Sequence, residues 1–309
     1  MSPGADDMGS FEDKFKKRII EEWGCRGYSF FRETIWSSSL QHADLPKIRT
    51  FLAVNDFNNL DVSLVIPPND DTCRMKWVTH YEKSGQCISL MRQEPIPANS
   101  NNLKITFCYV SNEQRKEKQI QTTLAANALR LVFGVPVARE LIFIRHFSND
   151  KNEPESFSEE GFASVFDTQS LNMFENPPIE EAELKPLPEE AAILLDKAFS
   201  QTYPAERFVL MWLAFEAIIH SFPGNGENGE KRKSFCLNEL QSEVVNTEVY
   251  RLFKLRCDIF KEGKISDPHV EQDCWSLYAV LQLATMKDCQ QRQAFLSGYE
   301  QTLLAGKFA

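Results

Sequence analysis

The chain lacks any apolar run close to the ~18–20 residues that a membrane-spanning helix requires. Its first residues, MSPGADDMGS, contain no basic stretch followed by an apolar one, so no secretory signal is expected. Glycine (13) and proline (15) are too scarce in 309 residues for a collagen-like or linker-dominated chain. No pair among the eight cysteines, at positions 25, 73, 87, 108, 236, 257, 274 and 289, has CxxC spacing, and none has a histidine at ligand spacing. A structural zinc site or other metal is therefore not expected, and a chain this long can bury a core without disulfides. P-loop, GxGxxG, GxSxG and HExxH patterns are all missing, so nothing points to a nucleotide cofactor, a serine-hydrolase elbow or a zinc protease. The expectation is a cytoplasmic protein in a reducing compartment, with no cofactor and no membrane partner.

What is present is ordinary globular material, 42% hydrophobic and 25% charged, with a formal net charge of −10. The imbalance is local. Residues 150–190 hold 12 acids and two bases, while the remainder is balanced at 32 of each. The low pI thus describes one segment, and neither half has a broadly basic footprint.

Length favours two domains. Residues 1–10 read as disordered, 11–170 as a β-rich amino-terminal domain, 171–187 as an acidic, proline-containing linker, and 188–309 as a helical bundle. In the first domain, Phe11, Phe15, Ile19 and Trp23 are four apart, which predicts an amphipathic helix. IRTFLAV (48–54), LDVSLVI, CRMKWVTHY, QCISLMR and LKITFCYV are short, rich in β-branched and aromatic residues and separated by turn formers. They predict an antiparallel meander. QIQTTLAANALRLVFG (119–134) returns to helical spacing, VPVARELIFIRHF (135–147) predicts one more strand, and FASVF is a short apolar piece in polar surroundings. From 188 on, six helical segments follow one another closely, one of them starting at Pro204 and another at Asp267–Pro268. The fold class is α+β.

Chemistry concentrates in VYRLFKLRCDIFKEGK (249–264), where Arg256 lies inside an apolar helical stretch. With RFVLMWLAFEAII (207–219), an aromatic-rich helix carrying the acid Glu216, this stretch gives the region 188–305 its character. That region resembles a HEPN domain of the ApeA-like kind. In that family the helix ends in Arg, four to six arbitrary residues, then His, commonly followed by Gly. Arg256, Asp258 and Gly263 match, and Lys261 stands where the His is expected. The resemblance implies a helical bundle, a homodimer, and a metal-independent endoribonuclease of toxin or anti-phage type. There Arg256 would stabilise phosphate charge and a histidine would move the proton.

The substitution bears directly on that chemistry. A free lysine titrates near ~10.4 against ~6.5 for histidine, so an exposed Lys261 is a cation and not a base at neutral pH. Positions 256 and 261 are also about 140° apart on an ideal helix, so they converge within one chain only if the helix ends or frays. His220, four residues after Glu216, is a conceivable substitute base, although a histidine at a helix end commonly serves the dipole. His42, His80 and His146 have no acid or nucleophile at a telling spacing, and His269, after Pro268 at a helix start, reads as a surface residue. The candidate catalytic set is Arg256, Lys261 and Glu216. The candidate RNA-binding set is Lys231, Arg232, Lys233 and Lys264, as an anion site for an RNA backbone, although the simpler reading of KRK at 231–233 is a solvated helix start. Three functions are in view. One is a degenerate HEPN protein that binds RNA or a protein partner, the latter through the amino-terminal domain, with ribonuclease activity weakened or lost. Another is an active endoribonuclease using Arg256 with a non-standard base. The last is a helical adaptor without a nucleic-acid role.

Overall fold

A computed structural model describes residues 11–65, 73–81, 87–95, 101–150, 156–159, 179–201, 203–223, 225–262 and 270–306. The amino-terminal elements are α1 (Phe11–Gly24), β1 (Phe30–Ser38), α2 (Leu45–Val54), β2 (Leu60–Val65), β3 (Cys73–Tyr81), β4 (Cys87–Pro95), β5 (Asn101–Tyr109), α3 (Arg115–Phe133), β6 (Glu140–Ser148) and β7 (Ser156–Glu159). Then come α4 (Glu189–Phe199), α5 (Pro204–Ser221), α6 (Asn228–Ser234), α7 (Glu243–Glu262), α8 (Val270–Thr285) and α9 (Cys289–Leu304). The fold is α+β. Helices α4, α5, α7, α8 and α9 overlap the segments where the periodicity puts them. KRKSFCLNELQSEV (231–244), expected as one helix, is instead the end of α6, a π-helical turn (Phe235–Glu239) and a break with Gln241 at a φ of 54° before α7 begins at Glu243. Asp267, Pro268 and the FASVF piece fall outside the described residues.

The strands do not form a meander. One antiparallel sheet has the order β2-β5-β1-β6-β7, and β3 pairs only with β4 in a separate two-stranded sheet. The 48–54 run is the second half of α2, not a strand. Pro46 opens that helix, and Leu45, Ile48, Phe51 and Leu52 bury one face at helical spacing, which outweighs β propensity. The strand predicted over 135–147 begins later, because Val135–Ala138 form a 3-10 turn after Gly134, whose φ of 94° no side chain would accept cheaply. The central strand β1 and the short β7 carried no clear signal.

The reason β1 is inconspicuous lies in its packing. Both of its faces are covered. Phe31 packs with Phe15 and Ile19 of α1 and with Phe147, while Trp36 packs into the core under α2 and α3. A strand buried on two sides loses the in–out alternation that marks a half-exposed one. It also carries charge inside. Glu33, 1% exposed, is ion-paired with Lys104 Nζ at 3.2 Å and with Arg145 Nη2 at 3.1 Å. On the opposite face Arg32 Nε donates to Thr122 Oγ1 at 3.2 Å, and Arg32 Nη1 lies 2.6 Å from His146 Nε2.

A guanidinium only donates, so His146 Nε2 is the acceptor and the ring is neutral. Burial first, then the cations Arg32 and Arg115, hold the His146 pKa down from 6.5 to about 4. Between those two values the unfolded chain binds a proton here that the folded chain does not. His146 therefore contributes stability in full above about pH 6.5, and that contribution is lost as the pH falls towards 4. In urea titrations, His146→Gln is expected to lose less stability than the parent between pH 7 and pH 4.5. Equal losses would assign the acid sensitivity to carboxylates alone.

The sheet and the helices meet along α3. Its residues Ala125, Ala126, Leu129 and Val132 belong to the sheet core, and Leu131 to the helical core. Asn127 Nδ2 donates to Ala192 O at 2.8 Å, Tyr278 Oη to Arg130 O at 2.6 Å, and Gln282 Nε2 to Leu131 O at 2.8 Å. The described part of the 171–187 segment, from 179, crosses this seam. Leu184 pairs with Met286 in an antiparallel bridge, Lys185 N donates to Thr285 O at 2.7 Å, and Leu184 N donates to Asn55 Oδ1 at 2.8 Å.

Candidate functional site

Helix α5 supplies the frame. Its first turn is anchored by Arg207, which is buried and donates through Nη1 to both oxygens of Glu271 on α8 at 2.9 and 2.8 Å and through Nη2 to Gln201 O at 2.9 Å. Further along, Phe208, Trp212 and Phe215 stack into the core, and Trp212 meets Phe253 of α7 at 6.0 Å between ring centroids. Glu216 is next on that face. Its two oxygens accept from Asn228 Nδ2 and Arg232 Nη1 of α6. The Arg232 guanidinium also lies over the Phe253 and Trp212 rings, at 4.7 and 5.5 Å. Lys231 Nζ donates to the carbonyls of His220 and Phe222, at 2.8 and 2.9 Å, closing the C-terminus of α5.

Glu216, Lys231 and Arg232 are thus brought together, and each is occupied in holding α6 against α5. Lys233 is exposed. His220 Nδ1 lies 3.3 Å from Asn228 Oδ1, so Asn228 stands between the histidine and Glu216. The sequence puts these two side chains on one helix face. It does not show that an asparagine from the next helix joins them.

Helix α7 is held along its inner face by a polar cluster. Arg251 binds Glu248 and Asp273, Glu248 accepts from Ser276 Oγ at 2.6 Å, and Ser276 Oγ lies 2.8 Å from Tyr299 Oη on α9. Two hydrogen-bonded carboxylates raise the Arg251 pKa, and burial raises that of the Tyr299 phenol. These partners come from three helices, and apart from Glu248 and Arg251, three apart on α7, no local spacing in the sequence announces them. The cluster fixes the rotation of α7 and hence what its outer side presents.

Towards solvent α7 presents two rings, each with a cation beside it. Tyr250 and Phe260 are 58% and 55% exposed. Lys254 Nζ lies 4.6 Å from the Tyr250 ring centroid, and the Arg256 guanidinium 4.5 Å from that of Phe260. Arg256 is half-buried at the edge of the core face, and its Nε has no hydrogen-bond partner among the described residues. Lys261 is exposed and lies within about 20° of Tyr250 on the helix. Because α7 stays helical through Glu262, Arg256 and Lys261 remain about 140° apart. Within one chain they do not face a common point. Lys264 and Gly263 lie outside the described residues.

Three of the described cysteines, Cys108, Cys236 and Cys274, are buried, and burial raises their thiol pKa, that of Cys236 to about 12. Among the described residues no group of three or more His, Cys, Asp or Glu side chains could hold a metal ion, and no helix is long and apolar enough to cross a membrane. No family model, no curated protein and no solved structure matches this chain.

Proposed function

We propose that the helical half is a degenerate HEPN-type unit that binds single-stranded RNA along α7, with metal-independent ribonuclease activity weakened or lost. The setting proposed is bacterial defence or toxin biology, with a homodimer formed through the helical half. The observation that supports this reading is the pair of exposed rings on α7, Tyr250 and Phe260, each with a cation 4.6 or 4.5 Å from its centroid. Unpaired bases stack on such rings, and the neighbouring charges meet phosphate. Arg256 supplies a half-buried guanidinium, whose Nε is itself buried and without a hydrogen-bond partner among the described residues. Lys261 places an amine where the resemblance expects the proton-moving imidazole. An approach of Arg256 to the opposite lysine across a two-fold axis is the arrangement in which the two could share one phosphate.

The test is fluorescence anisotropy with a labelled single-stranded 12-nucleotide RNA in EDTA, followed by gel analysis of the same mixtures. Arg256→Ala and Phe260→Ala are each expected to weaken binding about tenfold, which is ~1.4 kcal/mol and within the range of one stacked base. Arg256→Ala should also reduce the slope of log K against log salt by about one unit, the signature of one lost phosphate contact. Lys261→His, which restores an imidazole, is expected to raise cleavage by about 10²-fold, the low end for one general acid–base group. An affinity that neither substitution at 256 or 260 changes would overturn the RNA reading. Unchanged inactivity of a folded, dimeric Lys261→His would mean that more than the base has been lost.

A further inference from the structure

The seam between sheet and helices holds a half-open pocket of about 290 Å³. Its walls come from four places: the end of α2 and the turn after it (Val54, Phe57), α3 (Leu124, Leu131), the crossing segment (Leu184, Leu187) and the end of α8. Phe57 and Leu184 pack on the sheet core, while Leu131 and Leu187 belong with the helical core. Leu124 is half-buried and belongs to neither. The two cores therefore approach without closing, and between them lies a gap with apolar walls and a polar margin that includes Asn55, Gln121 and Thr285. The size is at the lower end of the ~300–1,000 Å³ of small-molecule pockets, and such pockets favour junctions of this kind. The turn forming one wall is held in place. Asp56 has a φ of 62°, and Phe57 N donates to Leu52 O at 2.9 Å.

The polar groups around the gap settle what it can accept. Asn55 is fully used, donating to Phe51 O and Ala182 O and accepting from Leu184 N. Gln121 is paired with Glu117 and Lys118, the Thr285 hydroxyl with Leu281 O, Lys185 with Glu239, and Lys287 with Glu183. Asp56 adds an exposed negative charge. The two lining cations, Lys185 and Lys287, are each paired with a carboxylate, so a phosphate would have to compete with Glu239 or Glu183, with the charge of Asp56 opposing it. An apolar ligand gains dispersion contacts that the gap now forfeits. We propose that this cavity is a binding site for a small, uncharged, mainly apolar molecule, an aromatic or branched ring compound, which bridges the two cores when bound.

The probe is indole at about 5 mM, read as the shift in melting temperature of the full chain. The shift expected for the parent is roughly 2 °C or more, the linkage effect of a ligand at about ten times its Kd. Leu124→Trp fills the gap from α3, and Val54→Trp, at a position 38% exposed, fills it from the rim with little risk to folding. Either is expected to abolish the shift, and adenosine monophosphate at the same concentration is expected to produce none. No shift in the parent, or one that persists in Val54→Trp, would overturn the site. A shift with the nucleotide that Val54→Trp removes would overturn the chemical class.

Discussion

Glu33→Ala is expected to lower the unfolding free energy by about 3–5 kcal/mol, the cost of removing one member of a buried ion pair. Glu33 is the shared carboxylate of two buried cations, Lys104 (2% exposed) and Arg145, on adjacent strands. Lys104 also lies over the Phe15 ring at 3.9 Å, which links the same charges to α1. Without Glu33, both cations lose that neutralising charge while still desolvated. Against a total stability of about 5–15 kcal/mol, the loss is large enough to populate unfolded protein under mild stress. The check is urea denaturation. The midpoint should fall with an unchanged slope, since the surface exposed on unfolding stays the same. Glu33→Gln keeps the shape and removes the charge, so it should recover packing but not neutralisation. A loss below about 1 kcal/mol for Glu33→Ala, the level of an exposed pair, would show that the site is solvated.

The second large effect concerns Arg130→Met, with an expected cost of about 3 kcal/mol felt on both sides of the seam. Arg130 is buried in α3. Its Nε donates to Ala138 O at 2.7 Å, and Nη1 to Asp196 Oδ1 of α4 at 2.7 Å and to Asn127 Oδ1 at 3.2 Å. The guanidinium lies 5.0 Å from the Trp36 ring centroid on the sheet side and 5.7 Å from that of Phe199 on the helical side. Methionine keeps the stem and loses every donor, leaving the Ala138 carbonyl without this one. Because one side chain serves β1, the turn before β6 and α4, the loss should spread. Hydrogen exchange is the measurement. Protection should drop together in β1 and in α4–α5, and a drop confined to one of them would mean that the two halves open separately.

Much of the carboxyl-terminal architecture could be read directly. Proline at the first helical turn and apolar residues at helical spacing located α5, and α7 and α9 followed from the same periodicity, because helical hydrogen bonds and most helical signals are local. Strands were harder. LDVSLV, CRMKWVTHY and CISLMR read correctly as strands, but IRTFLAV did not, since only burial against the sheet decides between helix and strand for a short apolar run. Strand order was beyond local reading. β1 pairs with β5, more than sixty residues further on, and with β6, more than a hundred on.

The candidate site divides the same way. Arg256 and Lys261, five apart on one helix, were visible as a pattern, and so were their residue types and the angle between them. That Glu216 is taken up by Arg232 and Asn228, that Arg256 stacks on Phe260, and that Tyr299 helps fix α7 depends on helices meeting in space. By itself, the sequence determined where charge is concentrated, that position 261 carries an amine in place of an imidazole, and most of the segments that become helices after 188, though not the break between α6 and α7. The tertiary structure alone decided strand order, the pairing of buried charges and the gap between the two cores. Helix formation is settled over a few residues, whereas each of those features is a contact between segments far apart in the chain, selected by the packing of the whole.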